Sequence, residues 1–211
     1  MFQDRQEAGW QLAEKLLSEI SEIDKSQTLI LAIPRGGIII GQQLAGKLAL
    51  PLDVLVTKKL PAPNNPELAV GAVSEGGQVF FNEDLCQDLC LTETYKKEIV
   101  KQKEVELQEK KDFFRQGKAL LDLKNKTVIL TDDGAATGAT MLAAIRLVKS
   151  QQPKEVIVAL PVVALETLKK LTAEVDKVVY LEAPEMFFAV GEFYKNFSQV
   201  SDLAVQKILH G

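Results

Sequence analysis

Short continuous apolar runs alternate with longer amphipathic stretches along most of this chain. Residues 28–33, 53–57, 127–132, 155–160 and 177–181 are rich in valine, isoleucine and leucine, and each is strand-sized. Runs of that length and composition predict buried β-strands. Between them lie segments with helical spacing. Residues 3–22 predict a first helix with an apolar stripe at Trp10, Ala13, Leu17 and Ile20. Helices are also predicted from Gly37 to about Leu48, over 138–149 and over 164–172. Residues 92–116 predict a long, charged, weakly amphipathic helix with Tyr95, Ile99, Leu107 and Phe114 turned inward. Residues 60–68 hold three prolines and two asparagines and predict a loop. Residues 69–73 and 78–81 flank Glu75-Gly76-Gly77 and predict a hairpin. The alternation of strands and helices predicts an α/β fold, a mainly parallel sheet flanked by helices. Ligands bind such sheets at the carboxyl ends of strands.

Length and charge narrow the function. At 211 residues the chain fits a single domain with a small accessory lobe. A net charge of −4 gives no general attraction to nucleic acid or anionic lipid. No apolar run reaches the roughly 18–20 residues that span a bilayer, and the polar N-terminus lacks the apolar core of a signal peptide. The expected location is therefore the cytoplasm, with no membrane or nucleic-acid partner. Cys86 and Cys90 would share a helix face as two packed thiols. The one histidine, His210, excludes a catalytic triad and a His-rich metal cluster.

Two strand ends carry the chemistry. Residues 127–132 run into Asp132-Asp133, then Gly134-Ala135-Ala136-Thr137-Gly138-Ala139-Thr140, and a helix follows. Adjacent carboxylates accept hydrogen bonds from a sugar diol. A small-residue loop with an open helix N-terminus receives a phosphate on backbone N–H groups, and Thr137 and Thr140 add hydroxyl donors. Residues 28–33 end in Pro34-Arg35-Gly36-Gly37, where glycine amides and a forked cation suit phosphate oxygens. Thr57-Lys58-Lys59 ends the next strand, and cations there would stabilise a departing anion. There is no Lys after the 134–140 loop and no Gly-x-Gly-x-x-Gly, so Walker-type and dinucleotide sites lack support.

The segment 127–140 resembles the phosphoribosyl pyrophosphate motif of type I phosphoribosyltransferases, and 31–37, 52–77, 156–163 and 184–202 resemble stand-alone bacterial members of that family. The resemblance implies the type I phosphoribosyltransferase fold over 1–211, with a hood from about 60–122 and 183–211. It implies transfer of the 5-phosphoribosyl group from phosphoribosyl pyrophosphate to a nitrogen acceptor, releasing pyrophosphate, with Mg2+ carried by the donor rather than bound directly by the protein. Asp132 and Asp133 would hold the ribose, and Ala135, Ala136, Thr137, Gly138, Ala139 and Thr140 the 5-phosphate. Arg35, Gly36, Gly37, Lys58 and Lys59 would hold pyrophosphate, with Lys59 and Arg35 acting in catalysis. In that family the loop matching Pro34–Gly37 often holds a non-proline cis peptide, and a closing flap at 60–81 and a homodimer are further expectations. Phe187 and Phe188 would stack on the acceptor.

Two positions depart from the family pattern. Ala136 stands where several 6-oxopurine enzymes carry an acid, which argues against such an acceptor by that route and leaves adenine- and orotate-type acceptors open. Gly134 replaces a more usual aliphatic residue and predicts a looser loop. The alternative function is a non-catalytic sensor of phosphoribosyl pyrophosphate or a nucleotide that regulates a protein partner.

Overall fold

The computed structural model describes residues 1–20 and 23–210. Five parallel strands form the main sheet in the order β2-β1-β6-β7-β8: β1 Thr28–Ala32, β2 Leu52–Val54, β6 Thr127–Thr131, β7 Glu155–Val162 and β8 Lys177–Glu182. α1 (Arg5–Glu19) and α2 (Gly37–Leu48) pack on one face, and α5 (Ala139–Ser150) and α6 (Leu165–Glu174) on the other. The interior strand β1 is buried along its whole length, as expected for a sheet covered on both faces. From β1 the chain goes outward to β2, and it returns as β6 on β1's other side. β1 and β6 therefore bracket the topological switch point, where open α/β sheets form their crevice.

A second layer stands beyond β2. β3 (Thr57–Ala62), β4 (Asn65–Ser74) and β5 (Val79–Phe81) form an antiparallel sheet. α3 (Glu83–Asp88), the long α4 (Glu93–Arg115) and the C-terminal α7 (Asp202–His210) pack around it. This layer corrects the loop expected at 60–68. Those residues complete β3, turn at Asn64 with φ 59° and begin β4. Pro61 enters a strand because the β3–β4 register shifts on both sides of it; such an irregularity tolerates a residue without an N–H. The residues expected as a mobile flap thus belong largely to a sheet.

Other expectations shift locally. α1 buries Ala8, Gly9, Leu12, Ala13 and Leu16, while Trp10 and Leu17 are 47% and 46% exposed. The stripe is rotated because Gly9 sits directly against Ile40 and Gln43 of α2. α1 ends at Glu19, and residues 21–22 of the expected helix lie outside the described residues, as does Gly211 of the expected hood. Ile99, Leu107 and Phe114 of α4 are buried as expected, and the half-buried Tyr95 donates its hydroxyl to the Pro61 carbonyl at 2.8 Å. Cys86 is buried, and burial pushes its thiol pKa up. Cys90 lies beyond the end of α3 with φ 49° and is exposed, so the two do not share a helix face.

One buried cluster joins the layers. The Arg115 guanidinium, 3% exposed, donates to both Asp53 carboxylate oxygens at 2.9 and 3.0 Å and to Glu75 at 2.8 and 3.0 Å. Asp53 also accepts from the Val54 and Leu121 amides, and Glu75 from the Val56 amide. Burial alone would lower the Arg115 pKa, but Glu75 and Asp53 more than reverse it. Carboxylates on β2 and on the β4–β5 turn thereby share one cation from the end of α4.

Candidate active site

Three loops meet over the switch point and line a cavity of about 490 Å³. The loop after β1 contributes Pro34, Arg35 and Gly36. The loop after β6 contributes Asp132 through Gly138, with Thr140 beyond it. The start of β3 contributes Thr57, Lys58 and Lys59.

The first two loops are packed on one another. A Cβ at Gly36 would fall 1.7 Å from Asp133 Oδ2, so only glycine permits this approach. The Pro34–Arg35 peptide is cis. Gly37 does not border the cavity. It is buried against the Asp132 backbone, so the expected pyrophosphate contact there is corrected to a packing role.

The phosphate-type loop has the expected character, with two corrections. Gly138 has φ 74° and caps α5, with no side-chain hydrogen bond at the helix start. Among the described residues the amides of Ala136, Thr137 and Gly138 donate to no protein acceptor. Together with the helix N-terminus they form a donor set suited to an anion. Ala135 leaves that set, because its amide donates to the Val162 carbonyl at 3.0 Å and extends the sheet. Ala139 is buried beside Ala72 and Ala143, away from the cavity lining. Thr167 of α6 braces the loop by donating its hydroxyl to the Ala136 carbonyl. At Gly134 the side chains of Val190 and Val162 occupy the space a side chain there would take.

Each acid commits one oxygen to the protein. Asp132 Oδ1 accepts from the Asp133 amide at 2.8 Å, and Asp133 Oδ2 accepts from Arg5 Nε at 2.7 Å. Among the described residues Asp132 Oδ2 and Asp133 Oδ1 accept no hydrogen bond, leaving one acceptor per carboxylate. Burial, reinforced by the neighbouring Asp133 charge, holds the Asp132 carboxyl well above the usual range, and Lys59 pulls it back. Strand alternation separates the two lysines. Lys58 pairs with Glu106 of α4 at 3.1 Å, whereas Lys59 is exposed and acts on Asp132 across the cavity. Arg35 lines the cavity with its guanidinium 3.9 Å from Asp202 of α7.

The expected aromatic stackers lie elsewhere. Phe187 packs on Phe193 at 5.2 Å against the α1 side of the core, and Phe188 is 75% exposed. Neither lines the cavity. From the C-terminal segment Val190 does so, and Leu68 and Ala69 of β4 also line it. Neither Arg5 nor Tyr194 has a motif or local spacing that marks it in the sequence. Tyr194 donates its hydroxyl to the Asp133 carbonyl, and burial and Asp133 raise its pKa.

A family model described as phosphoribosyl transferase domain matches residues 4–197. A Mycobacterium tuberculosis protein named "Putative phosphoribosyl transferase" is 36% identical over 202 residues, covering 96% of this chain and 45% of its own length. The chain thus spans about half the length of the curated relatives it matches. The crystal structure of TT1426 from Thermus thermophilus shares 35% identity, covers 99% of this chain and 97% of that one, and superposes with a TM-score of 0.81. A Staphylococcus aureus hypoxanthine phosphoribosyltransferase shares the fold at 14% identity and TM-score 0.50, over 86% of this chain and 76% of that one.

Proposed function

The chain belongs to the phosphoribosyl transferase domain family, and from that premise we propose that it transfers the 5-phosphoribosyl group of phosphoribosyl pyrophosphate to a nitrogen of a planar base. One observation carries the reading. A single cavity unites an acid pair with one open oxygen each, a helix start with no side-chain cap and a cationic rim. Those are the three recognition elements that a sugar diol, a 5-phosphate and a pyrophosphate require.

In this reading the amides of 136–138 and the hydroxyls of Thr137 and Thr140 hold the 5-phosphate. Asp132 and Asp133 accept from the ribose hydroxyls. Arg35, Gly36 and Lys59 face the pyrophosphate, and Lys59 stabilises the charge that grows on it as the bond to the sugar breaks. The acceptor nitrogen forms the new bond at the same sugar carbon, so the chain supplies alignment and charge stabilisation rather than a covalent nucleophile.

The acid oxygens and the cavity's cation-rich rim suit a donor that carries its own magnesium. Bound magnesium would neutralise charge on the leaving pyrophosphate. Val190, Leu68 and Ala69 give the cavity aliphatic lining for a flat base, and Ala136 offers no acid to a 6-oxopurine ring. The absence of that acid leaves adenine- and orotate-type acceptors as the candidates.

The test is turnover. Phosphoribosyl pyrophosphate and Mg2+ are incubated with a panel of nitrogen bases while released pyrophosphate is quantified. Acceptor-dependent release supports the transferase. Saturable donor binding without release for any base would move the assignment to a sensor.

A further inference from the structure

Arg5 is a charged side chain, 8% exposed, at the first position of α1. A cation there opposes the helix macrodipole, which favours acids in the first turn, so helix stability does not explain it. Its guanidinium is held on three sides. Nε donates to Asp133 Oδ2 at 2.7 Å, Nη1 donates to the Ser198 carbonyl at 2.9 Å, and Cζ lies 3.8 Å from the centre of the Phe197 ring. The platform beneath it is itself fixed to the chain's start. The Phe2 amide donates to the Phe193 carbonyl, and the Lys195 and Asn196 amides donate to the Phe2 and Gln3 carbonyls, at 2.8–2.9 Å. Phe2 and Tyr194 pack with ring centres 5.4 Å apart.

We propose that Arg5 is a positioning residue for the sugar site: it clamps one oxygen of Asp133 so that the other is presented to the ribose diol. This rests on the reading of the acid loop as a diol site. The clamp is specific to Asp133. Tyr194 fixes the same residue through its carbonyl, Asp132 fixes its amide, and Gly36 leaves room for the carboxylate itself. Without the guanidinium, Asp133 would be a largely buried carboxylate beside Asp132 with no cation on its own oxygens. It would then turn outward or take up a proton, and either change removes a charged acceptor from the sugar. The charged and titratable groups around the pair are Arg5 of α1, Lys59 and Lys58 of β3, Arg35 of the β1 loop, and Tyr194.

The experiment compares the full chain with Arg5→Met and Arg5→Lys. Each is titrated calorimetrically with ribose 5-phosphate and with 2,3-dideoxyribose 5-phosphate, after thermal unfolding has established that it is folded. The parent chain should prefer the diol-bearing sugar by about tenfold or more, the scale of a charge-assisted hydrogen bond. Arg5→Met should keep its affinity for the dideoxy sugar and lose most of that preference, and Arg5→Lys should recover part of it. An unchanged preference in either variant, or equal losses for both sugars, would overturn the proposal, because a purely structural tie weakens both ligands alike. Should Arg5→Met not fold, Arg5→Lys alone decides, since its preference must fall below the parent's. A parent chain that binds ribose 5-phosphate without preferring it would refute the diol reading, and the role of Arg5 with it.

Discussion

Replacing Arg115 with methionine should cost this protein a large share of its stability. The guanidinium makes five hydrogen bonds, to Asp53, Glu75 and the Val54 carbonyl, and is 3% exposed. Methionine retains much of the side chain's bulk but none of its donors, leaving two buried carboxylates without their shared cation. Removing one member of a buried ion cluster costs about 3–5 kcal/mol, which for a chain of this size lowers Tm by about 6–20 °C. Urea titration followed by circular dichroism measures it, with an unchanged denaturant slope confirming that the loss is one of stability. The carboxylates are the cause, so Asp53→Asn and Glu75→Gln added to Arg115→Met should recover most of the loss. Because Asp53 and Glu75 bracket the segment 54–56 that leads into β3, Arg115→Met should also weaken the pyrophosphate binding proposed for Lys59. A loss below about 1 kcal/mol, the range of exposed pairs, would refute the view that this cluster locks the two layers together. A triple variant no more stable than the single one would refute the electrostatic cause.

Two further outcomes follow from the site. The Asp132 pKa is raised in the folded chain, so its contribution to stability is fully present below its ordinary carboxylate pKa, near 3.8, and is lost as pH rises through the raised value. Asp132→Asn lacks that loss, so its urea midpoint should gain on the parent's as pH rises above about 4, and parallel profiles would contradict the assignment. Lys59→Ala should lower turnover more than donor affinity once an acceptor is found, whereas equal losses would indicate ordinary ground-state binding.

The parts of this protein legible in the sequence are those written locally. Strands 127–131 and 155–162 announce themselves as apolar runs, and the Asp132–Thr140 and Pro34–Gly36 loops by residues whose chemistry follows from adjacency. What escaped depends on distant partners. Arg5 meets Asp133 across 128 positions, and Arg115 meets Asp53 across 62. A lone arginine in a helix carries no sign of such a partner. Residues 60–68 misled because prolines argue for a loop unless a register shift accommodates them, and that shift is a property of the pairing. On α1, Trp10 counts as apolar by composition and draws the predicted inward face toward itself, whereas Gly9 sets how closely the helix packs. Phe187 and Phe188 fit a stacking role by residue type alone. Val190, a less conspicuous neighbour, is the residue that reaches the cavity.

Calorimetric titration of phosphoribosyl pyrophosphate with Mg2+ into the parent chain and into Asp132→Ala tests the central claim most directly. The account predicts saturable binding to the parent chain, weakened about tenfold or more when the diol acceptor is removed. Binding unchanged in the variant, or none to the parent chain at millimolar donor, would contradict it.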